Sequence, residues 1–270
     1  MAQVEHHTEE IAGEPVSWRE CPREGAPLVY LHGVPNSSRC WEPFLARTGG
    51  TALDLPGFGG STKAATFPYS IPAHEGALER YLDWRGLDRI DLVMHDFGAA
   101  AGLAFAQRAP GRVRRIVLID ALPLFEGYEW HRAARLWRTP VIGELVMGSL
   151  TPRLLRRALR GANATALPER TLREIYEELD FGTQRAILKL YRSVRAGTLA
   201  AAGERLAQID APALIVWGER DPYIPPRAAR QYAQALGGEV TLELLEDAGH
   251  WPWLDRPDMI ETVAEFLARS

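Results

Sequence analysis

The chain has 270 residues, 46% hydrophobic and 24% charged, enough for one large core or a core with an insertion but short for two independent domains. A formal net charge of -4 argues against a general nucleic-acid role, which a basic surplus would serve. The thiols Cys21 and Cys40 have no CxxC spacing, and no run approaches the roughly 18 apolar residues of a membrane span, so a reducing cytoplasm without a membrane-spanning segment is expected.

The opening MAQVEHHTEE is polar and acidic and does not read as a signal peptide. Residues 16–19 read as an edge strand whose neighbour is too weak to place. Strands follow at Leu28–Leu31, 51–53, 90–94 and Val113–Ile119, separated by helical patterns at 37–47, 72–84 and 98–108. Several of these strands are apolar on both faces, as parallel strands covered by helices are. The alternation stops after Asp120. From 122 to 206 only helix-like segments occur, at 128–137, 152–159, 168–178 and 183–194, and strands resume at 213–217 and 240–244 with helices at 226–236 and 257–268. The order predicts an α/β fold with a mostly parallel central sheet, in which 1–121 and 207–270 form the core and 122–206 a helical lid. The basic run Arg153 to Arg160 reads as the solvated face of a lid helix. Asn36-Ser37-Ser38 and Asn163-Ala164-Thr165 fit the glycosylation sequon but have no secretory context.

Chemistry concentrates where predicted strands end. Asp96 stands between the strand 90–94 and the helix starting near Gly98, the strand-turn-helix setting of an exposed nucleophile. Taken alone, Asp96 is equally a helix N-cap. A carboxylate nucleophile leaves an ester on the enzyme, and a histidine near neutral pKa, oriented by an acid, activates the water that removes it. His250 follows the strand 240–244 and Asp221 follows 213–217, giving the chain order nucleophile, acid, histidine. Asp120, at another strand end, is the competing orienting acid. The backbone N–H groups of Val34 and Phe97 are placed to converge on one oxygen. His32 and His95, beside the two turns, together with Trp130, Trp137 and Trp251, are read as groups that shape or line the substrate site. His74 reads as structural, and His6-His7 lack partner ligands. No metal spacing and no phosphate loop is found, so no metal and no cofactor is expected.

His32-Gly33-Val34-Pro35, Asp54-Leu55-Pro56-Gly57-Phe58-Gly59, His95-Asp96-Phe97-Gly98, Trp217-Gly218-Glu219-Arg220-Asp221 and Gly249-His250 fall in one order and spacing. By these motifs the chain resembles the α/β-hydrolase superfamily, and by its aspartate at 96 the branch of epoxide hydrolases and haloalkane dehalogenases. The resemblance implies covalent catalysis on Asp96. Dehalogenases of this branch commonly hold a halide with a tryptophan after the nucleophile and an asparagine in the HGxP turn; here those positions are Phe97 and Val34, without side-chain donors. Epoxide hydrolases use lid tyrosines, and Tyr191 resembles one of them, with Tyr128 as its expected partner and Tyr176 as the alternative. The expected reaction is opening of a small apolar epoxide by water to a vicinal diol. Haloalkane dehalogenation is the alternative, followed by another natural-product hydrolase or lyase activity or a noncatalytic ligand-binding role. A monomer or homodimer is expected.

Overall fold

The computed structural model describes residues 3–195 and 197–269. The strands are β1 (Glu5–Ile11), β2 (Glu14–Cys21), β3 (Leu28–Leu31), β4 (Gly50–Leu53), β5 (Ile90–His95), β6 (Val113–Ile119), β7 (Ala213–Gly218) and β8 (Val240–Leu245). They form one 8-stranded sheet in the order β1-β2-β4-β3-β5-β6-β7-β8. β1–β2 and β2–β4 pair antiparallel; from β4 to β8 every pair is parallel. The sheet core thus matches the sequence reading, with one correction. Residues 16–19 lie inside the sheet, and the edge belongs to β1, whose polar sequence EHHTEEI carries no apolar alternation to reveal it.

Period-2 alternation in the buried strands separates two apolar layers. Leu92, Met94, Ile116, Leu118, Ile215 and Trp217 face one layer, where α2 (Ile71–Trp84) and α3 (Phe97–Arg108) pack. Val93, Val117, Ile119, Leu214 and Val216 face the other, with Phe44 and Leu45 of α1 (Glu42–Thr48) and Val263 and Phe266 of the C-terminal helix. The predicted helix 37–47 is two pieces: a 3₁₀ turn, Ser38–Trp41, capped by Ser37, then α1 with Pro43 in its first turn, where a missing N–H costs nothing.

Between β6 and β7 the described elements are α4 (Arg132–Arg138), α5 (Ile142–Gly148), α6 (Pro152–Ala158), α7 (Glu169–Glu178), α8 (Phe181–Ser193) and α9 (Thr198–Ala202), with a short 3₁₀ turn at Leu206–Gln208. This helical insertion is the lid region. Its first helix starts later than the pattern predicted: Tyr128 and Trp130 lie in the approach to α4, which begins where His131 caps it. On α6, Leu155 is buried while Arg153, Arg156 and Arg157 are exposed, the solvated face expected of the basic run. After β7 come α10 (Arg227–Ala235), α11 (Pro252–Asp255) and α12 (Met259–Ala268). Among the described residues no helix is long and apolar enough to cross a membrane.

Candidate active site

The chain steps from β3 to β4 on one side, then returns past β3 to β5 on the other, so the sheet switches direction between β3 and β5. Open α/β sheets place ligands at such a point, beyond the strand carboxyl ends. Val34 follows β3 and Asp96 follows β5, side by side at that crevice. Asp96 has φ +46° and ψ -120°, a conformation that a non-glycine residue holds only when its surroundings enforce it. Two glycines do so by close approach. A Cβ on Gly98 would lie 2.5 Å from the His32 carbonyl oxygen, and one on Gly33 would lie 2.6 Å from Asp96 Oδ2. Although Asp96 occupies the N-cap position of α3, its side chain makes no capping hydrogen bond.

Instead its carboxylate points into the crevice. Val34 N–H donates to Asp96 Oδ2 at 2.9 Å, and Phe97 N–H also donates to the carboxylate. Oδ2 therefore already sits at a donor expected of an oxyanion site, on a residue that lines the cavity. Burial raises the pKa of Asp96 above the usual carboxylate value; His250 and the two N–H groups pull the other way.

His250 Nδ1 donates to Asp221 Oδ2 at 2.8 Å. Tyr223 N–H and Ile224 N–H donate to Asp221 Oδ1 at 2.7 and 3.0 Å, so the acid is held from both sides. For His250, burial favours the neutral ring, but the charge and hydrogen bond of Asp221, with Asp96 beyond, outweigh it and raise the pKa. Asp221 is thus the acid that touches the histidine. Asp120, fully buried at φ +40°, lies next to it and accepts Gly218 N–H at 3.1 Å. Burial, then the Asp221 charge, holds the Asp120 carboxyl well above its ordinary value, so it is the protonated member and donates to Asp221. Asp120, Asp221 and His250 each present a donor atom within 4.8 Å of the others, a spacing a metal ion also accepts; the hydrogen-bond chain from Asp120 through Asp221 to His250 accounts for it. The chain therefore carries an Asp–His–Asp set consistent with hydrolysis through a covalent aspartyl ester.

A cavity of about 240 Å³ lies above these groups, lined by Val34, Asp96 and His250 from the core and by Tyr128, Trp130, Trp137 and Tyr191 from the lid region. Trp251 also lines it. Tyr191 is wedged between the rings of Trp130 and Trp137, each 5.1 Å away, and burial, then the Asp96 charge, keeps its phenol protonated. Tyr128 reaches the cavity wall, but its hydroxyl donates to the Tyr223 carbonyl at 3.3 Å. Tyr176 is on α7, 37% exposed and away from this wall.

Two expected contacts are corrected. His32 and His95 do not line the cavity. His32 Nε2 accepts Leu55 N–H at 3.0 Å and its Nδ1 donates to the Gly33 carbonyl at 2.8 Å, bracing the turn that carries Val34. His95, held neutral by burial and by His250, bonds the His250 carbonyl through Nε2 at 2.8 Å. Both shape the site from behind.

Sequence reasoning missed His131 and Tyr223, which also line the cavity. Tyr223 sets its ring edge against His250 at 5.0 Å; its place two residues after Asp221 was the available signal. It also missed Asn163, read only as part of a sequon. Asn163 Oδ1 accepts Trp251 N–H and its Nδ2 donates to the Trp251 carbonyl and Asp255, so its amide is buried and holds the His250 loop. No local pattern connects residues 88 positions apart.

Known proteins agree with this architecture. A family model described as "Alpha/beta hydrolase family" matches residues 28–263. A haloalkane dehalogenase of Agrobacterium fabrum is 37% identical over 100 residues, a segment covering 36% of this chain and only 33% of that protein. The crystal structure of the haloalkane dehalogenase DbeA from Bradyrhizobium elkani (24% identity, TM-score 0.85, 98% of both chains) and the solved structure of the epoxide hydrolase CorEH (21% identity, TM-score 0.85, 98% of this chain and 99% of that one) share the fold. With most of its length matched and its turns in the family's order, the chain belongs to the α/β-hydrolase family.

Proposed function

We propose that this enzyme hydrolyses a small apolar substrate through an alkyl ester on Asp96, with 122–206 closing over the reacting carbon as a cap. The observation that carries the reading is the Asp96 carboxylate, with Oδ2 bound by the Val34 N–H, the Phe97 N–H also on the carboxylate, and its cavity shared with His250. The free oxygen attacks carbon and the leaving group departs with the bonding electron pair. His250, oriented by Asp221, then removes a proton from water, which attacks the ester carbonyl. The carbonyl oxygen is then the one held by the Val34 N–H, with the Phe97 N–H beside it, so negative charge develops where donors stand.

Of the relatives, the haloalkane dehalogenase of Agrobacterium fabrum supports a carbon–halogen bond as the one broken. An apolar cavity rimmed by Trp130, Trp137 and Tyr191 suits a haloalkane and can hold a departing halide by N–H and O–H groups, in place of the side-chain donors absent at 34 and 97. A second reading, opening of an epoxide to a vicinal diol, is favoured by the protonated Tyr191 phenol facing the same cavity as Asp96. Tyr128, expected to assist it, has its only proton engaged by the Tyr223 carbonyl.

Mass spectrometry of the H250A protein exposed to haloalkanes and epoxides tests both. A mass increase equal to the haloalkane minus hydrogen halide on Asp96 is the expected result. An increase equal to the intact epoxide would move the assignment to the second reading, and no adduct from either class would refute the ester.

A further inference from the structure

The ester chemistry leaves one cavity-lining histidine without a task. His131 stands at the start of the first lid helix, and its Nδ1 accepts the Ala134 N–H at 3.3 Å, capping α4. A neutral imidazole has one N–H; with Nδ1 accepting, that proton sits on Nε2. Burial, then the charge of His250, pushes the pKa of His131 down to about 4, so the ring is neutral at pH 7. The ring is fixed in place, 4.8 Å from Tyr223, 5.9 Å from Trp137 and 6.4 Å from Tyr191. Among the described residues the Ala134 bond is the hydrogen bond its ring makes, and Nε2 has no protein partner.

Besides Tyr191, Trp130 and Trp137, the cavity offers the leaving atom few side-chain donors. Val34 and Phe97 supply none from their side chains, and the Tyr128 hydroxyl is engaged by backbone. We infer that the Nε2–H of His131 is a hydrogen-bond donor to the leaving atom, halide or epoxide oxygen, working beside Tyr191. This rests on the aspartyl-ester reading and extends it to the group that receives the developing negative charge. A neutral imidazole lends a hydrogen bond and keeps its proton. In halide displacement the Asp96–carbon bond forms as the carbon–halogen bond breaks, and the halide leaves as an anion with the electron pair. In epoxide opening the carbon–oxygen bond breaks, the Tyr191 phenol protonates the oxygen, and the tyrosinate is reprotonated from the His250 imidazolium once water has cleaved the ester. His131 stabilises the negative charge in both.

The role falls in the first half-reaction only, which makes it separable from support of the fold. Asparagine is a good helix cap, so H131N keeps the bond to Ala134 N–H but ends short of the Nε2 position. Glutamine extends an N–H to about that position. In the H250A background, timed mass spectrometry with 1-bromobutane and with styrene oxide is expected to show ester formation on Asp96 slowed about 10²-fold by H131N and restored to within ~10-fold of the parent by H131Q. With His250 present, hydrolysis of the preformed ester is expected to proceed at the parent rate in H131N. Ester formation at the parent rate in H131N would overturn the assignment, as would equal slowing of both half-reactions or a loss found in W137F instead. If the H250A protein itself forms no ester, the aspartyl-ester reading fails and this assignment falls with it.

Discussion

Replacing Asp221 by asparagine tests the site through the tautomer of one imidazole. Asp221 Oδ1 accepts two backbone N–H groups, from Tyr223 and Ile224, while Oδ2 accepts from His250 Nδ1 at 2.8 Å. An asparagine must give its single oxygen to the two backbone donors, since turning its NH₂ toward them would leave buried donors facing donors at about 1–3 kcal/mol each. Its NH₂ then faces Nδ1, which must accept, and the ring proton moves to Nε2, the nitrogen needed to take a proton from water. The expected loss in ester hydrolysis is about 10³–10⁴-fold, roughly 4–5.5 kcal/mol of barrier. Formation of the ester needs no base, so it is expected to stay within ~10-fold of the parent and the ester to accumulate. The assay is single-turnover quench followed by intact-protein mass spectrometry. Turnover within ~10-fold of the parent and no accumulated ester would refute the reasoning and move the orienting role to Asp120.

Other outcomes follow from the same geometry. Because water activation needs neutral His250, whose pKa is raised above 6.5, the rate of ester hydrolysis is expected to climb with pH through a midpoint above that value; a midpoint below it would show that burial outweighs Asp221 and Asp96. Asp120→Asn mimics the protonated carboxyl. Since the folded pKa of Asp120 is raised, its stabilisation is complete below the ordinary 3.8 and is lost as pH rises through the folded value. The variant should match the parent in thermal unfolding at low pH and exceed it at pH 9, each kcal/mol gained appearing as about 2–4 °C in Tm; a lower Tm at pH 9 would contradict the shared proton. Gly98→Ala drives a methyl into the Leu31 and His32 backbone carbonyls and is expected to cost about 1–3 kcal/mol in urea unfolding, with no loss marking the elbow as adjustable. Asp255 accepts from Gly249 N, Asn163 Nδ2 and Ala164 N on one oxygen and from Thr165 N on the other, so D255N is expected to free the His250 loop and the 162–165 segment together; hydrogen exchange that rises in neither would refute that link.

The sequence by itself determined the sheet core and the places where chemistry gathers. The strands from β3 to β8 are short apolar runs bounded by turn residues, and Asp96, Asp221 and His250 each stand just past one of them, so local pattern and chain order sufficed. The polar β1 carried no such pattern, and its pairing with β2 became visible only when the hairpin was in place. For the acid that holds His250 the chain order favoured Asp221 without excluding Asp120, because both end strands; packing decided it by setting Asp221 against the histidine and raising the pKa of Asp120. The lid was the least legible part. Four of its helices were recognisable by period while α5 and α9 were not, and which aromatic groups face Asp96 depends on how the insertion folds back over the sheet. That fold-back engages the hydroxyl of Tyr128, turns Tyr191 and His131 into the cavity, and brings Asn163 against the His250 loop, contacts between residues far apart in sequence that no local periodicity encodes.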